Sequence, residues 1–293
     1  MHPSPGGLTC LDLYADDAVR ARVAHARAFE HGAHVTAWTP AGENESRLFL
    51  SSASAFGAGK AIRGGVPVVF PQFSDRGPYG RHGFARTAAW TLVGATPEPD
   101  RSTFDGAYGE AQFRLRDTPE TRAAWPFAFV AEVGVRVEGR TLTMAFTAEN
   151  TGTEPFAFTA ALHTYLAVSD TEAARVEGLA GVAYEDNAAA GARRVDADAA
   201  VAFGGGREVD RLYLGVPGPV RLVGGPTPLR VEQDGFEDVV VWNPGREKGK
   251  ALADLGSGEW ARFVCVEAAQ VGRPVRLAPG ERWTGRQRLV AED

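Results

Sequence analysis

Basic side chains are concentrated in RGPYGRHGFART, residues 76–87, which carries three arginines and a histidine although the formal net charge of the chain is −6. A guanidinium group donates to a phosphate or a carboxylate in a planar, bidentate arrangement. Because His82 and Arg86 are four residues apart with Gly83 between them, a turn could direct both side chains at one anion. The segment fits a solvated loop anchored by Phe84 equally well.

A second polar segment, AIRGGVPVVFPQF at residues 61–73, places Arg63 and a glycine pair before an apolar run and Gln72 at its end. Glycine lets a backbone approach a ligand closely, and proline stiffens a loop. The pattern therefore fits a ligand-binding loop. Considered alone, Arg63 also fits a surface ion pair.

A third segment, FTAALHTYLAVSD at residues 158–170, carries His163 inside an apolar, alternating pattern that predicts a strand. A buried imidazole needs partners for its ring nitrogens, and a structural role would account for it. An imidazole near its ordinary pKa can also give or take a proton at neutral pH.

A fourth segment, WARFVCVEAAQ at residues 260–270, ends an apolar strand with an acidic side chain. Strand alternation places Glu267 on the same face as Phe263 and Cys265. If that face is the inner one, desolvation would raise the pKa of the carboxyl toward that of a usable general base. Exposure at a strand edge is the alternative.

The elements that must position these side chains are predicted to be mostly strands, because short segments rich in Val, Phe, Leu, Thr and Trp are separated by turn residues. The strand segments are GAHVTAWTP, SRLFLSS, TAAWTLVGAT, EAQFRLRD, FAFVAEVGVRVEG, TLTMAFTAEN, PVRLVGG, VVVWNP, ARFVCVEAA and GRQRLVAE. DDAVRARVAHARAFEHG fits either a helix or a strand with a hairpin, and TPETRAAWPF fits at most two helical turns before Pro126. VAFGGGREVD and NAAAGARR predict loops.

The chain is predicted to form one domain covering residues 1–293, because 44% of the residues are hydrophobic and no linker or repeat interrupts the chain. The strand segments predict that this domain is all-β. The acidic balance disfavours nucleic acid and membranes as partners.

The distant Cys10 and Cys265 provide no disulfide framework, and no apolar run is long enough to span a membrane, so we expect a cytoplasmic protein. The histidines lack HExxH spacing and the cysteines are not paired in sequence, so we expect no metal centre.

Several strings occur in the order of a known family, and the resemblance extends from about residue 30 to residue 290. IRGGVPVVFPQF, HGFART, ALHTYLAVSD, EVDRLY, VVVWNP and FVCVEAA, followed by PVRLAPGERW, resemble the glucose-6-phosphate 1-epimerase-like branch of the aldose 1-epimerase, or galactose mutarotase-like, superfamily. The resemblance implies a β-supersandwich of two large, mostly antiparallel sheets with the active site on a concave face. It also implies interconversion of the α and β anomers of glucose 6-phosphate or a related hexose 6-phosphate.

The resemblance implies a role for each polar segment. His163 would be the general acid that protonates the ring oxygen, and Glu267 the general base that takes the proton from the anomeric hydroxyl. The ring would open, the C1–C2 bond would rotate, and reclosure would give the other anomer. Because only protons move, the resemblance implies no metal and no redox cofactor.

The same resemblance assigns the substrate contacts. Arg63 and Arg86 would hold the 6-phosphate. Gln72 and His82 would make further contacts, and Asp210 would accept hydrogen bonds from sugar hydroxyls.

Two segments do not match the family with certainty, the loop at residues 74–81 and the Ala- and Gly-rich loop at residues 184–206. Arg76 and Arg81, in the first of these loops, fit solvated charges. Two alternatives stay open: a mutarotase of unphosphorylated aldoses, and a non-catalytic carbohydrate- or sugar-phosphate-binding module, since fold does not fix function. An acid and base pair argues against the second. We expect a monomer whose partner is a small hexose phosphate.

Overall fold

The computed structural model describes residues 1–3, 5–17, 22–96 and 108–293, and these residues form mainly β-strands. The strands are β1 (His2–Pro3), β2 (Thr9–Asp17), β3 (Arg22–Phe29), β4 (His34–Thr39), β5 (Val68–Val69), β6 (Thr91–Ala95), β7 (Gly109–Arg116), β8 (Phe129–Glu138), β9 (Thr141–Asn150), β10 (Phe156–Leu162), β11 (Tyr165–Ala167), β12 (Arg175–Glu177), β13 (Ala183–Asp186), β14 (Ala192–Val195), β15 (Ala200–Ala202), β16 (Val209–Tyr213), β17 (Val220–Val223), β18 (Leu229–Asp234), β19 (Asp238–Asn243), β20 (Phe263–Leu277) and β21 (Arg282–Ala291). Two short helices, α1 (Pro119–Ala124) and α2 (Gly245–Ala251), interrupt them. Single 3₁₀ turns lie at Pro5–Gly7, Ala85–Thr87, Thr171–Ala173, Asn187–Ala189, Gly204–Gly206 and Glu259–Arg262.

The described strands form two large sheets and one smaller sheet. The eight-stranded sheet has the order β14-β13-β16-β19-β20-β10-β5, with β11 also paired to β20. The nine-stranded sheet has the order β15-β12-β17-β18-β21-β9-β8-β7-β6, and a four-stranded sheet has the order β1-β2-β3-β4. The strand pairs are antiparallel, which confirms the predicted all-β supersandwich.

Alternating side chains hold the sheets together. In β9, Leu142, Met144, Phe146 and Ala148 are buried, whereas the residues between them are partly exposed. These side chains belong to one buried cluster that also contains residues of the other two sheets, such as Leu13. Burial of a large apolar side chain stabilises the folded state by about 1.5–3 kcal/mol. The alternation therefore fixes which face of each strand points to the core.

One antiparallel pairing positions the predicted acid and base. Leu162 of β10 lies opposite Ala268 of β20, and Tyr165 of β11 lies opposite Cys265. Counting inward from either pair places His163 opposite Glu267. The predicted single strand is interrupted at residues 163–164, where the backbone N–H of His163 donates to Pro67 O at 3.0 Å instead of to β20.

The face of β20 that carries Glu267 was also predicted. Val264 and Val266 point into the main core cluster, whereas Phe263 and Cys265 lie in a separate cluster on the opposite face. Glu267 shares that opposite face and is nevertheless only 1% exposed. The carboxyl is therefore desolvated without facing the main core.

Segments with ambiguous patterns have definite structures. DDAVRARVAHARAFEHG contributes to the β2–β3 hairpin, so of its two interpretations the strand with a hairpin is confirmed over residues 16–17 and 22–29, and residues 18–21 lie outside the described residues. Helix α1 begins with a capping box between Thr118 and Thr121 and ends before Pro126, as predicted.

Two segments differ from the sequence predictions. SRLFLSS is not a regular strand, because its backbone pairs in turn with different neighbours through isolated bridges from Leu48 to Leu166 and from Leu50 to Gly64. The predicted loop at residues 184–206 contains β14 and β15, and most of β13. These short strands lack a strong apolar pattern and form by pairing: β13 pairs with β16, β14 pairs with β13, and β15 pairs with β12. Within the described residues, no helix is long and apolar enough to cross a membrane.

Candidate active site

A cavity of about 670 Å³ lies over the eight-stranded sheet. Strand register arranges the sheet beneath it in rows: Leu212, Val240 and Glu267 are cross-strand neighbours, and Asp210, Trp242 and Cys265 form the next row. Of these residues, Asp210, Val240, Trp242 and Glu267 line the cavity. Of the predicted site residues, those that line the cavity are Arg63, His82, Arg86, His163, Asp210 and Glu267. The structure therefore brings six residues from five separate segments to one site.

His163 and Glu267 form the centre of the cavity. Nδ1 of His163 lies 3.2 Å from Oε1 of Glu267. Despite this short distance, no hydrogen bond forms between the two groups. Nδ1 of His163 and Oε2 of Glu267 are both buried without a hydrogen-bond partner. The imidazole stacks on the ring of Tyr165 with centroids 4.9 Å apart and meets the edge of Trp242 at 5.7 Å. Aromatic packing, rather than hydrogen bonding, therefore fixes the orientation of the imidazole ring.

Burial disfavours the charged form of both groups. It raises the pKa of Glu267 well above the usual range, and the neighbouring carboxylate of Asp210 adds to this effect. Burial also lowers the pKa of His163 well below its usual value, and His82, Arg63 and Arg86 lower it further. Both shifts therefore favour the neutral pair, a neutral imidazole beside a protonated carboxyl, over the charged pair of imidazolium and carboxylate.

Arg63 lies at the rim of the cavity and already has partners. Its guanidinium donates to the hydroxyl of Tyr165 at 2.9 Å and forms a 3.0 Å ion pair with Asp254. Gly65, two residues after Arg63, has φ +59°, and a Cβ there would lie 2.2 Å from Val35 O. This glycine is needed for contact between two backbone segments and not, as the sequence suggested, for approach to a ligand.

Arg86 and His82 lie on the neighbouring wall. Arg86 makes one hydrogen bond, from Nη2 to Arg81 O at 3.2 Å, and its Nε is buried without a partner. His82 adopts φ +62°, and its Nδ1 accepts a hydrogen bond from the backbone N–H of Ser74 at 3.3 Å. Burial, with Arg86 as the next cause, lowers the pKa of His82 to about 3. The imidazole of His82 is therefore neutral and Arg86 has unused donors.

Gln72 does not line the cavity. Its side-chain amide donates to Ser74 O and Tyr79 O, and its carbonyl oxygen accepts from Tyr79 N at 3.0 Å. Gln72 is 3% exposed. The structure therefore places it beneath the 74–81 loop, where it fixes the loop conformation.

Asp210 is held by a residue from the segment that the sequence left unassigned. Asn187 donates from Nδ2 to Oδ1 of Asp210 at 2.8 Å. Arg76 in turn donates to Oδ1 of Asn187 at 3.1 Å and forms a 2.7 Å ion pair with Glu185. These contacts join the 74–81 loop to the 184–206 segment above the cavity. Arg76 is thus a bridging residue rather than a solvated charge.

Sequence reasoning missed several residues of this site. Tyr165 was identifiable, because a residue two positions from His163 on a strand lies on the same face. Asn187, Asp254 and Lys248 gave no local signal, since each reaches the site only through the tertiary fold. Arg81, by contrast, forms an exposed ion pair with Asp75, as a loop charge would.

A second large depression, of about 590 Å³, lies over β6–β9. The charged residues among its lining, Glu110 and Arg136, approach each other to 3.8 Å, and no histidine contributes to the lining. Among the described residues, the acid–base pair and the arginines converge only in the cavity over the eight-stranded sheet.

Comparisons with known proteins agree with this geometry. The sequence profile described as aldose 1-epimerase matches residues 19–290. A Cenchrus ciliaris protein provisionally named glucose-6-phosphate 1-epimerase is 37% identical over 276 residues, covering 92% of this chain and 82% of the relative. An Escherichia coli K12 protein with the same provisional name is 35% identical, covering 88% and 83%. The crystal structure of a protein from Salmonella typhimurium, provisionally named a mutarotase, superposes with a TM-score of 0.82 at 28% identity, covering 92% of this chain and 88% of that one.

Proposed function

The chain belongs to the aldose 1-epimerase family, and on that premise we propose that it interconverts the α and β anomers of a hexose 6-phosphate. Glucose 6-phosphate is the first candidate, because the curated relatives provisionally carry its name. One observation carries the proposal for this chain: an imidazole and a carboxyl lie 3.2 Å apart in a cavity that Arg63 and Arg86 also line.

The proposed mechanism uses His163 as the general acid and Glu267 as the general base. His163 gives a proton to the ring oxygen while Glu267 takes the proton of the anomeric hydroxyl, so the C1–O5 bond breaks and an open-chain aldehyde forms. Rotation about C1–C2 presents the other carbonyl face. Reclosure reverses both transfers: the O5 hydroxyl returns its proton to His163 as it attacks C1, and Glu267 gives its proton to the carbonyl oxygen, which restores imidazolium and carboxylate.

The opposite pKa shifts of His163 and Glu267 bear directly on this reaction. The charged pair, imidazolium with carboxylate, and the neutral pair, imidazole with carboxylic acid, contain the same number of protons. Ring opening converts the first pair into the second. Because burial in the free site favours the neutral pair, some interaction with the substrate must favour the charged pair before ring opening.

Phosphate binding supplies that interaction in the proposal. Arg63 and Arg86 lower the pKa of His163, after burial and His82. A phosphate dianion bound to the two arginines would offset their charge and raise the pKa of the imidazole. It would also fix the remote end of the sugar, which positions the anomeric carbon between acid and base.

One observation favours a second candidate function. Arg63 is already paired with Asp254 and Tyr165, so it could serve as a structural group in a mutarotase of unphosphorylated aldoses. In that case the spare donors of Arg86 would bind hydroxyl groups. The two candidates differ in whether the 6-phosphate accelerates exchange.

Exchange NMR between the anomers of glucose 6-phosphate, with glucose as the comparison, tests the proposal. Fast exchange of the phosphorylated sugar alone supports the hexose-6-phosphate epimerase. Equal acceleration of both sugars supports the second candidate. Binding of glucose 6-phosphate without any acceleration would contradict both and leave a non-catalytic binding module.

We further propose that residues 1–293 form a single domain that acts as a monomer in the cytosol. One core cluster contains residues from all three sheets, and the proposed acid, base and phosphate ligands come from one chain. No disulfide joins the buried Cys10 and Cys265, which suits a reducing compartment. The net charge of −6 supports a small anion held by a local basic cluster, rather than nucleic acid or a membrane, as the partner.

A further inference from the structure

A cysteine completes a three-residue cluster at the proposed acid–base pair. His163, Cys265 and Glu267 each offer a ligand atom, and these three atoms lie within 4.8 Å of one another. Their relative exposures are 8%, 0% and 1%. The proposed mechanism uses the imidazole and the carboxyl but gives the thiol no task.

Sheet geometry explains why the three side chains meet. Cys265 and Glu267 are two residues apart on β20 and therefore share a face. His163 lies opposite Glu267 on the neighbouring backbone segment, and Tyr165 lies opposite Cys265. The cluster is thus fixed by register and does not depend on a long, flexible side chain.

Two atoms of this cluster have unused coordinating capacity. Nδ1 of His163 and Oε2 of Glu267 are buried and lack a hydrogen-bond partner. Leaving buried polar atoms unpaired destabilises the folded protein. A group that bonded to both atoms would relieve this destabilisation.

We propose that His163, Cys265 and Glu267 bind one Zn²⁺ ion, which inhibits the proposed epimerase. Zinc takes imidazole, thiolate and carboxylate ligands at about 2.0–2.3 Å in tetrahedral geometry, which places ligand atoms about 3.3–3.5 Å apart. The 3.2 Å between Nδ1 of His163 and Oε1 of Glu267 already matches this spacing. The sulfur needs to move by no more than about 1.5 Å to match it.

Ligand chemistry favours zinc over the common hard cations. Mg²⁺ prefers an octahedral set of oxygen ligands, whereas a thiolate and an imidazole suit zinc. On binding, the thiol and the carboxyl release their protons to solvent, and the imidazole binds in its neutral form. The ion would occupy the ligand atoms of both His163 and Glu267, so neither group could transfer a proton to the sugar. The fourth coordination position would face the cavity.

The binding claim is tested without any sugar, using Co²⁺ as a spectroscopic substitute for Zn²⁺. The full-length protein should bind one Co²⁺ per chain, with a thiolate-to-metal charge-transfer band in the near ultraviolet that Zn²⁺ abolishes by displacement. Cys265→Ser should lose the band, and Cys265→Ala serves as a second variant should the buried serine hydroxyl impair folding. Cys10→Ser, which alters the other buried cysteine, should keep the band.

The inhibition claim rests on the proposed function and has a separate readout. Zn²⁺ should slow anomer exchange, a chelator should restore it, and Mg²⁺ should have no effect. The Zn²⁺ concentration for half inhibition should rise at least about 10-fold in Cys265→Ser, with each variant compared with its own metal-free rate. A charge-transfer band that is absent in the wild type, or that persists in both Cys265 variants, overturns the site. Absence of exchange without metal would instead refute the proposed function and leave the Co²⁺ result to decide the site.

Discussion

Nδ1 of His163 lies 3.2 Å from Oε1 of Glu267, opposite it across the pairing of β10 and β11 with β20, and no hydrogen bond joins the two groups. The proximity comes from strand register, and stacking on Tyr165 orients the imidazole. Because the two buried groups do not use their hydrogen-bonding atoms on each other, these atoms remain available to a substrate. The following predictions concern how that availability is used.

Removing either proton-transfer group should strongly slow anomer exchange. His163→Gln and Glu267→Gln keep approximate side-chain volume but remove the acid or the base, and one such group contributes a factor on the order of 10²–10⁴. We expect losses of that size in exchange NMR with glucose 6-phosphate. His31→Gln and Glu132→Gln are matched controls, because both residues are buried and lie outside the cavity lining. A Glu267→Gln variant that keeps most of the wild-type rate would contradict the assignment of the base.

Arg86 should contribute to exchange mainly through the phosphate group. Its Nε has no partner, and its one hydrogen bond goes to a backbone carbonyl, so Arg86→Gln should raise KM for glucose 6-phosphate by about 10-fold or more, as loss of a charge-assisted hydrogen bond would. Any activity on glucose should change far less. Arg122→Gln removes an exposed charge that is paired with Asp117 outside the cavity lining and is the matched control. Equal effects of Arg86→Gln on the two sugars would show that Arg86 does not bind the phosphate.

Anion binding should raise the pKa of His163. Burial lowers that pKa first, and His82, Arg63 and Arg86 lower it further, so a phosphate ion at the arginines should move the pKa upward toward its usual value. NMR titration of the His163 imidazole with and without inorganic phosphate measures this change. Chloride at matched ionic strength controls for screening. A pKa that phosphate leaves unchanged would disconnect the arginines from the acid.

Local sequence patterns predicted much of the sheet, and together with the family resemblance they selected six residues that line one cavity. Alternation identified β7, β8, β9 and β20, because each buries one or both faces of an extended chain. Helix α2 was not predicted, since GREKGKA contains glycines with poor helix propensity. Its position depends on tertiary packing: a Cβ at Gly249 would lie 2.8 Å from the side chain of Trp260.

The sequence did not reveal the residues whose side chains position other parts of the site through hydrogen bonds. Gln72 matched a family position, yet only the fold shows that its amide is occupied by Ser74 and Tyr79. Asn187 lies in an Ala-rich segment without periodicity, and its contact with Asp210 spans 23 residues of sequence. Such contacts have no local signature, because they arise when separately predicted strands pair.

Asn187 should act as a positioning residue for Asp210. It donates a 2.8 Å hydrogen bond to the Asp210 carboxylate, whose pKa is raised by burial and lowered again by this bond. Asn187→Ala should therefore weaken sugar binding, with KM rising by about 10-fold and a smaller change in kcat. Asn187→Asp should be more harmful, since it places a second carboxyl against Asp210. Steady-state anomer kinetics separates KM from kcat, and a fall in kcat alone would contradict a role in substrate positioning.

His34 should make the stability of the fold depend on pH. It is fully buried and its Nε2 donates to Gly64 O at 2.8 Å, so protonation would add a charge at Nδ1, which has no partner. Burial lowers its pKa from 6.5 to about 4, so the unfolded chain binds this proton more readily than the folded protein does. The contribution is therefore fully present above about pH 6.5 and is lost as the pH falls toward 4, by about 3 kcal/mol in the free energy of unfolding. Denaturant unfolding at several pH values should show a shallower loss for His34→Gln than for the wild type. Identical pH dependence of the two proteins would show that His34 is not the group responsible.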